Sequence, residues 1–184
     1  MRIAGGEFRG RVLAAPKGME TRPTTDKIRQ AVFNMLQSRG ATEDARVLDV
    51  FCGTGALGLE ALSRGAAHCL FVDNGRPALA ALRKNIAALG VEARCAVKGR
   101  DGLKLGPCPA ANQKATLVFL DPPYRKGLIE AALPVLVTGD WLEKGAWAVL
   151  ECEKVTLPIL PVGFAEDNRR TYGDTQIIIA RYHS

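Results

Sequence analysis

Histidines, paired cysteines and long apolar runs are scarce or missing in this 184-residue chain, and each shortage excludes a class of protein. Two histidines, His68 and His183, and five cysteines without a single CxxC spacing argue against a zinc site, so no metal is expected. Cys52, Cys69, Cys95, Cys108 and Cys152 are odd in number, which suits a reducing compartment better than a disulfide framework. Cys69 and Cys95 lie in apolar strand-like runs, where cysteine acts as a small buried hydrophobe. No apolar run approaches the roughly 20 residues of a membrane-spanning helix. The opening MRIAGGEFRG has no signal-peptide core, so a cytoplasmic protein with no membrane partner is expected. Repeats and low-complexity tracts are absent. With 47% hydrophobic and 24% charged residues, the chain is globular and large enough for a core of its own.

The charge that is present is unevenly placed. Residues 1–40 hold eight Lys/Arg against three acids, a balance of +5, while the other 144 residues carry 17 basic and 16 acidic side chains. A basic arm on a nearly neutral body suits a polyanion such as nucleic acid.

In that arm, Ile3, Phe8 and Val12 alternate with Arg2, Arg9 and Arg11 between Gly5-Gly6 and Gly10, which predicts a short β-ribbon. Thr24, Thr25 or Asp26 can cap a helix in which Ile28, Ala31, Val32, Met35 and Leu36 recur at helical spacing, with Lys27, Arg29 and Gln30 on the opposite face and Gly40 as the stop. From Ala45 the rhythm changes. Strands are predicted at 46–50, 68–73, 93–98, 116–121 and 147–152, with helices from the glycine turn to about Arg64, over 77–89 and over 128–137. Strands alternating with helices mean βαβ units and a parallel sheet covered on both faces. Residues 164–172 and 175–182, joined by Gly173-Asp174, read as a closing antiparallel hairpin. The chain therefore divides into a ribbon-and-helix extension, 1–40, and an α/β domain, 41–184.

Two motifs carry chemistry. Gly53, Gly55 and Gly58 form a GxGxxG between the first strand and its helix, where backbone N–H groups are free to meet a ligand. Asp73 ends the next strand, placed to accept from ribose hydroxyls. This loop fits a dinucleotide and it fits S-adenosylmethionine. Asp49, four residues before the first glycine, favours the second, because a carboxylate repels a pyrophosphate and attracts an ammonium and a sulfonium. Asp101 can accept from an adenine amino group, although an aspartate in that place is first of all a helix cap. The second motif, Asp121-Pro122-Pro123-Tyr124, ends the fourth strand at the sheet edge where open α/β folds bind ligands. Two prolines remove two N–H donors, so the turn presents mainly acceptors. Acceptors that hold both N–H bonds of an exocyclic amine localise its lone pair and stabilise the charge developing on nitrogen. Tyr124 offers a face on which a base drawn out of its helix can stack.

Asp121-Pro122-Pro123-Tyr124 matches the (D/N)PP(Y/F/W) signature of amino-group methyltransferases. The chain further resembles RsmD-type small-subunit ribosomal RNA guanine-N2 methyltransferases through RIAGGEFRGRVL, RPTTDKIRQAVFNML, DVFCGTGALGLEALSRGA, DPPY and YGDTQI, in the same order over nearly its whole length. The resemblance implies an α/β, class I Rossmann-like fold with a mostly parallel seven-stranded sheet ending in an antiparallel hairpin. It implies methylation, with S-adenosyl-L-methionine as donor, of the N2 amino group of one guanine in 16S ribosomal RNA, of the guanine-966 type. The partner would be that RNA within a small ribosomal subunit or an assembly intermediate, with no obligate protein partner. Carried over by position, Asp49, Phe51, Gly53, Gly55, Asp73 and Asp101 would bind the cofactor. Asp121, Pro122, Pro123 and Tyr124 would hold the base, and Arg9, Arg11, Arg22, Lys27 and Arg29 would hold RNA phosphates. Arg22-Pro23-Thr24 would also border the cofactor.

Rival readings each leave something unexplained. A DNA or other-RNA amino-group methyltransferase acting on adenine shares DPPY, but usually carries a larger recognition region. Protein glutamine methyltransferases usually have Asn where Asp121 stands. A cytosine-C5 enzyme using Cys108 needs that cysteine at the end of strand four, which Asp121 occupies. A non-enzymatic RNA-binding protein explains the basic arm but not the two motifs, and an NAD-dependent oxidoreductase does not explain DPPY.

Overall fold

Short, near-continuous apolar runs produce five parallel strands: β1 (Arg46–Val50), β2 (His68–Asp73), β3 (Cys95–Gly99), β4 (Ala115–Leu120) and β5 (Leu142–Glu153). An antiparallel hairpin, β6 (Phe164–Tyr172) and β7 (Thr175–Tyr182), completes a seven-stranded sheet of order β3-β2-β1-β4-β5-β7-β6. The computed structural model describes residues 1–16, 26–110, 114–123, 127–156 and 158–184. The helices are α1 (Asp26–Gln37), α2 (Ala56–Ser63), α3 (Arg76–Leu89) and α4 (Leu128–Thr138). Among the described residues no helix is long and apolar enough to cross a membrane.

Side chains on a strand alternate between faces, and the core divides accordingly. Val47, Leu117, Phe119, Val149, Ile177 and Ile179 meet α1, α2 and α3, while Leu48, Val50, Val118, Leu120, Leu150 and Ile178 meet α4. Ile3, Leu13, Val32, Phe33 and Leu36 belong to the first of these cores, so the ribbon and α1 share one packed interior with the sheet. Cys69 is fully buried as expected, but Cys95 is only half-buried, because β3 is an edge strand with a neighbour on one side only.

The ribbon is held by hydrogen bonds rather than by a long ladder. Arg2 and Val12 form an isolated antiparallel bridge, and the tip docks on the end of α2. There, Ser63 accepts from Glu7 N–H at its carbonyl (2.7 Å) and from Phe8 N–H at its hydroxyl (2.9 Å), and its hydroxyl donates to the Gly5 carbonyl (2.6 Å). Gly6 is required at this contact: it has φ 77°, and a Cβ would fall 1.8 Å from the Ser63 carbonyl oxygen.

Helix α1 departs from its expected pattern. Its buried residues are Ile28, Arg29, Val32, Phe33 and Leu36, so Arg29 is not on the solvent face and cannot hold an RNA phosphate there. The reason is a buried acid on the neighbouring helix. Glu60 is fully buried; its Oε2 accepts from Arg29 Nε (3.2 Å) and from the Ala4 N–H (2.7 Å), and its Oε1 accepts from Arg64 Nε (2.7 Å). Arg29 Nη2 donates to Asp26 Oδ1 (2.7 Å) and to the Arg2 carbonyl. A carboxylate out of water needs such donors, and the two guanidiniums are turned inward to supply them.

Removing one partner of a buried ionic cluster leaves the others uncompensated. Glu60→Ala is expected to lower unfolding stability by about 3–5 kcal/mol in urea titrations, far more than an exposed Glu→Ala change on the same protein.

Candidate active site

The sheet reverses its winding between β1 and β4, and a crevice opens there at the carboxyl ends of the strands. The cavity has a volume of about 750 Å³, which is in the range of small-molecule sites. Four acids surround it. Asp73 and Glu151 follow Phe71 and Val149 by two residues and Asp121 follows Phe119 by two, so strand alternation sends all three to the α1–α3 face. Leu120 pairs with Leu150, which sets Asp121 and Glu151 side by side one residue further on. Asp101 joins from the loop after β3.

The β1–α2 turn forms one wall. Phe51, Gly53 and Gly55 have φ of 61°, 55° and 84°, so the chain passes through left-handed conformations three times in five residues. At Phe51 this is a strained choice for a side-chain-bearing residue. Gly58 has another role: a Cβ there would meet the Phe71 ring at 2.4 Å and the Cys69 sulfur at 2.6 Å, so glycine lets α2 lie close against β2. Asp73 spans two loops, with Oδ2 accepting from Gly53 N–H (2.8 Å) and Oδ1 from Gly75 N–H (2.7 Å). A carboxylate has about four lone-pair positions, so two acceptor sites on Asp73 remain for a ligand's hydroxyls. Asp101 caps the 3₁₀ turn Gly102–Lys104 through Leu103 N–H (2.9 Å), and it also lines the cavity.

The predicted site residues divide as follows. Phe51, Gly53, Asp73, Asp101, Asp121, Pro122 and Pro123 converge on this one cavity. Asp49 and Gly55 do not reach its lining. Gly55 packs beneath the loop against Leu82, and Asp49 is buried with its Oδ2 accepting from Gly58 N–H (2.9 Å). Tyr124 and Arg22, with Pro23 and Thr24, lie outside the described residues. Lys27 is exposed on α1. Arg9 and Arg11 are exposed toward the ribbon tip, where Arg11 Nη2 donates to the Ala88 carbonyl at the end of α3 (2.5 Å). Ala88 lies at the far end of α3 from the cavity-lining Ala78, roughly 15 Å along the helix axis. Arg29, expected outside, lines the cavity instead.

Glu151 escapes the motif reading. It is buried and lines the cavity beside Asp121, yet within WAVLEC it reads as one polar residue in a strand. The parity it shares with Val149 was the available signal. Cys108 is not in the cavity; its N–H donates to the Gly139 carbonyl (2.7 Å), near the amino ends of β4 and β5, so a thiol-nucleophile reading has no support. Burial pushes the Cys52 thiol up, which also disfavours a thiolate there.

The family model described as Conserved hypothetical protein 95 matches residues 1–181. Ribosomal RNA small subunit methyltransferase D of Escherichia coli (strain K12) is 37% identical over 177 residues, covering 94% of this chain and 85% of that one. Its Haemophilus influenzae namesake is 32% identical over 174 residues, covering 94% and 89%. The solved structure of Escherichia coli yhhF superimposes with a TM-score of 0.87 at 32% identity, over 100% of this chain and 98% of that chain.

Burial raises Asp49 from its ordinary 3.8 to about 7; the Gly58 hydrogen bond opposes the shift and the nearby Asp73 charge adds to it. The folded chain therefore keeps a proton that the unfolded chain loses as the pH passes 4. Stability from this group is complete below about pH 4 and is lost as the pH rises through about 7. Asp49→Asn keeps an acceptor for Gly58 and does not titrate. Wild type is thus expected to lose stability relative to the variant between pH 4 and 8, by an amount on the order of a few kcal/mol. Denaturant melts at pH 5 and pH 8 check this, and parallel curves at both would show that Asp49 does not hold the proton.

Proposed function

The chain belongs to the Conserved hypothetical protein 95 family, and from that premise we propose that it transfers a methyl group from S-adenosylmethionine to the exocyclic N2 amino group of a guanine in small-subunit ribosomal RNA. One observation carries the reading: the glycine loop, Asp73, Asp101 and the Asp121-Pro122-Pro123 turn face a single cavity. The relatives named ribosomal RNA small subunit methyltransferase D support the RNA class.

The charge of the cavity supports the cofactor. Its described lining has four carboxylates, Asp73, Asp101, Asp121 and Glu151, against one guanidinium, Arg29. This environment repels the pyrophosphate of a dinucleotide and suits a ligand bearing ammonium and sulfonium groups. The two remaining acceptor positions on Asp73 fit ribose hydroxyls, and Asp101 can still accept from an adenine amino group. S-adenosylmethionine, when bound, supplies an electrophilic methyl on sulfur.

The protein's part is positioning and electrostatics. The Asp121 carboxylate and the backbone carbonyls of the proline-stiffened turn accept from the target amine, hold it in line and stabilise its developing positive charge. Glu151 deepens the negative potential there. By resemblance, Tyr124 stacks on the base. RNA is gripped by Arg9 and Arg11 at a distance from the chemistry and by Lys27 on the first turn of α1, so the substrate must be large enough to span cavity and ribbon, as ribosomal RNA in a subunit or assembly intermediate is.

Labelled methyl transfer to unmodified small subunits, naked 16S RNA and duplex DNA, read by nucleoside mass spectrometry, tests the reading. N2-methylguanosine in ribosomal RNA is expected, and label in DNA or on adenine would replace it with the broader amino-methyltransferase reading. Asp121→Ala is expected to lower transfer at least about 100-fold while S-adenosylmethionine affinity in calorimetry changes only a few-fold; joint loss of both would move Asp121 to the cofactor site. Replacing Arg9 and Arg11 together by Gln should reduce the slope of log affinity against log salt for RNA by roughly 1.4–1.8, and an unchanged slope would remove the ribbon from the RNA interface.

A further inference from the structure

Arg29 holds one donor with no acceptor among the described residues. Its Nε bonds Glu60, and its Nη2 bonds Asp26 and the Arg2 carbonyl, but Nη1 is buried with no hydrogen-bond partner. Among the described residues it is one of two buried side-chain polar atoms left in that state, and Arg29 alone of the two residues lines the cavity. A buried guanidinium N–H without an acceptor is costly, and such an atom at a cavity wall marks the place of a ligand acceptor.

The local charge indicates what kind of acceptor. In the buried cluster two guanidiniums, Arg29 and Arg64, face one carboxylate, Glu60, while Asp26 is half-exposed at its rim. With Asp26 paired to Arg29 Nη2 the formal charges balance, but the spare guanidinium N–H bonds most strongly to an ionised acceptor, so an anion is favoured. Elsewhere the described lining is acidic. Among the described lining side chains, Arg29 is the one cation beside four carboxylates.

Position narrows the choice further. Arg29 is one helical turn before Phe33, whose ring packs on Phe119 at 5.6 Å, and Phe119 precedes Asp121 by two residues. Arg29 thus lies on the α1–α3 face, over the β4 end of the cavity and across the crevice from Asp73 and Asp101. An RNA phosphate reaches exposed cations, whereas Arg29 is 1% exposed. A carboxylate on a ligand seated in the cavity is delivered against the wall that Arg29 lines, which a phosphate of the RNA backbone outside is not.

We propose that Arg29 Nη1 receives the α-carboxylate of S-adenosylmethionine, fixing the aminoacyl end of the cofactor while Asp73 and Asp101 hold the nucleoside end. The inference rests on the cofactor reading above. It makes Arg29 a binding residue and ties cofactor affinity to the ribbon, because the same side chain clasps Glu60 and the Arg2 carbonyl.

Calorimetry on the full chain tests it with three ligands: S-adenosylmethionine, its decarboxylated form, and 5′-methylthioadenosine, which lacks the aminoacyl group. Wild type is expected to bind S-adenosylmethionine about 10- to 100-fold more tightly than the decarboxylated form, as one charge-assisted hydrogen bond allows. Arg29→Gln should shrink that preference to under about threefold and leave methylthioadenosine affinity unchanged. If Arg29→Gln does not fold, Arg29→Lys replaces it with the same readouts, since one ammonium cannot serve Glu60 and the ligand with the geometry of a guanidinium. The proposal is overturned by a wild type without the preference, by a variant that keeps it, or by equal loss for all three ligands, which would make Arg29 structural only. It is also overturned if Arg29→Gln leaves the preference intact but reduces the salt slope of RNA binding, which would assign the donor to a phosphate. Failure of wild type to bind any of the three would instead reject the cofactor reading.

Discussion

A carboxylate shut away from water governs the arrangement of the first third of this protein. Glu60 accepts from Arg29, Arg64 and the Ala4 N–H, and so joins α1, α2 and the ribbon at one point. It adds to the apolar packing of α1 and α2 and to the Ser63 hydrogen bonds that dock the ribbon tip. Because a buried acid must be matched by donors, Arg29 is turned into the interior, and that orientation brings it to the cavity wall. Ribbon, helix and ligand site are thereby mechanically continuous.

The site itself follows from two periodicities acting together. Strand alternation puts Asp73, Asp121 and Glu151 on one face, and the switch in strand order between β1 and β4 opens a crevice there. Glycine supplies the rest. Gly53 and Gly55 allow the left-handed turn, and Gly58 lets α2 approach β2 closely enough to seat the loop. Asp73 then acts first as a structural tie between the Gly53 and Gly75 loops, with acceptor positions to spare. The concentration of acid among the described lining residues suits a cationic ligand and an amine, and makes Arg29 stand out among them.

Strands, helices, the closing hairpin and the Asp101 cap were all legible from periodicity and turn residues, with small shifts at the ends. β5 begins at Leu142 rather than 147, because a register shift against β4 lets the strand run back past Gly145. β3 starts at Cys95 because Glu92–Arg94 forms a 3₁₀ turn first. Arg29 and Asp49 are the instructive cases. The resemblance assigns Arg29 to RNA and charge assigns Asp49 to the cofactor, and both are buried against partners distant in sequence, Glu60 and Gly58.

The sequence by itself determined the order of elements, the mostly parallel sheet, the glycine loop, and the acids at strand ends. These depend on local rules, namely side-chain period, turn chemistry and backbone freedom, which operate over a few residues. Only the tertiary structure decided which charged groups face the cavity and which serve the core. Whether Arg29 meets water, Glu60 or a ligand depends on how α1 packs against α2, and whether Glu151 stands beside Asp121 depends on the β4–β5 register. Those are distances set by the packing of segments remote in the chain, and no local pattern contains them.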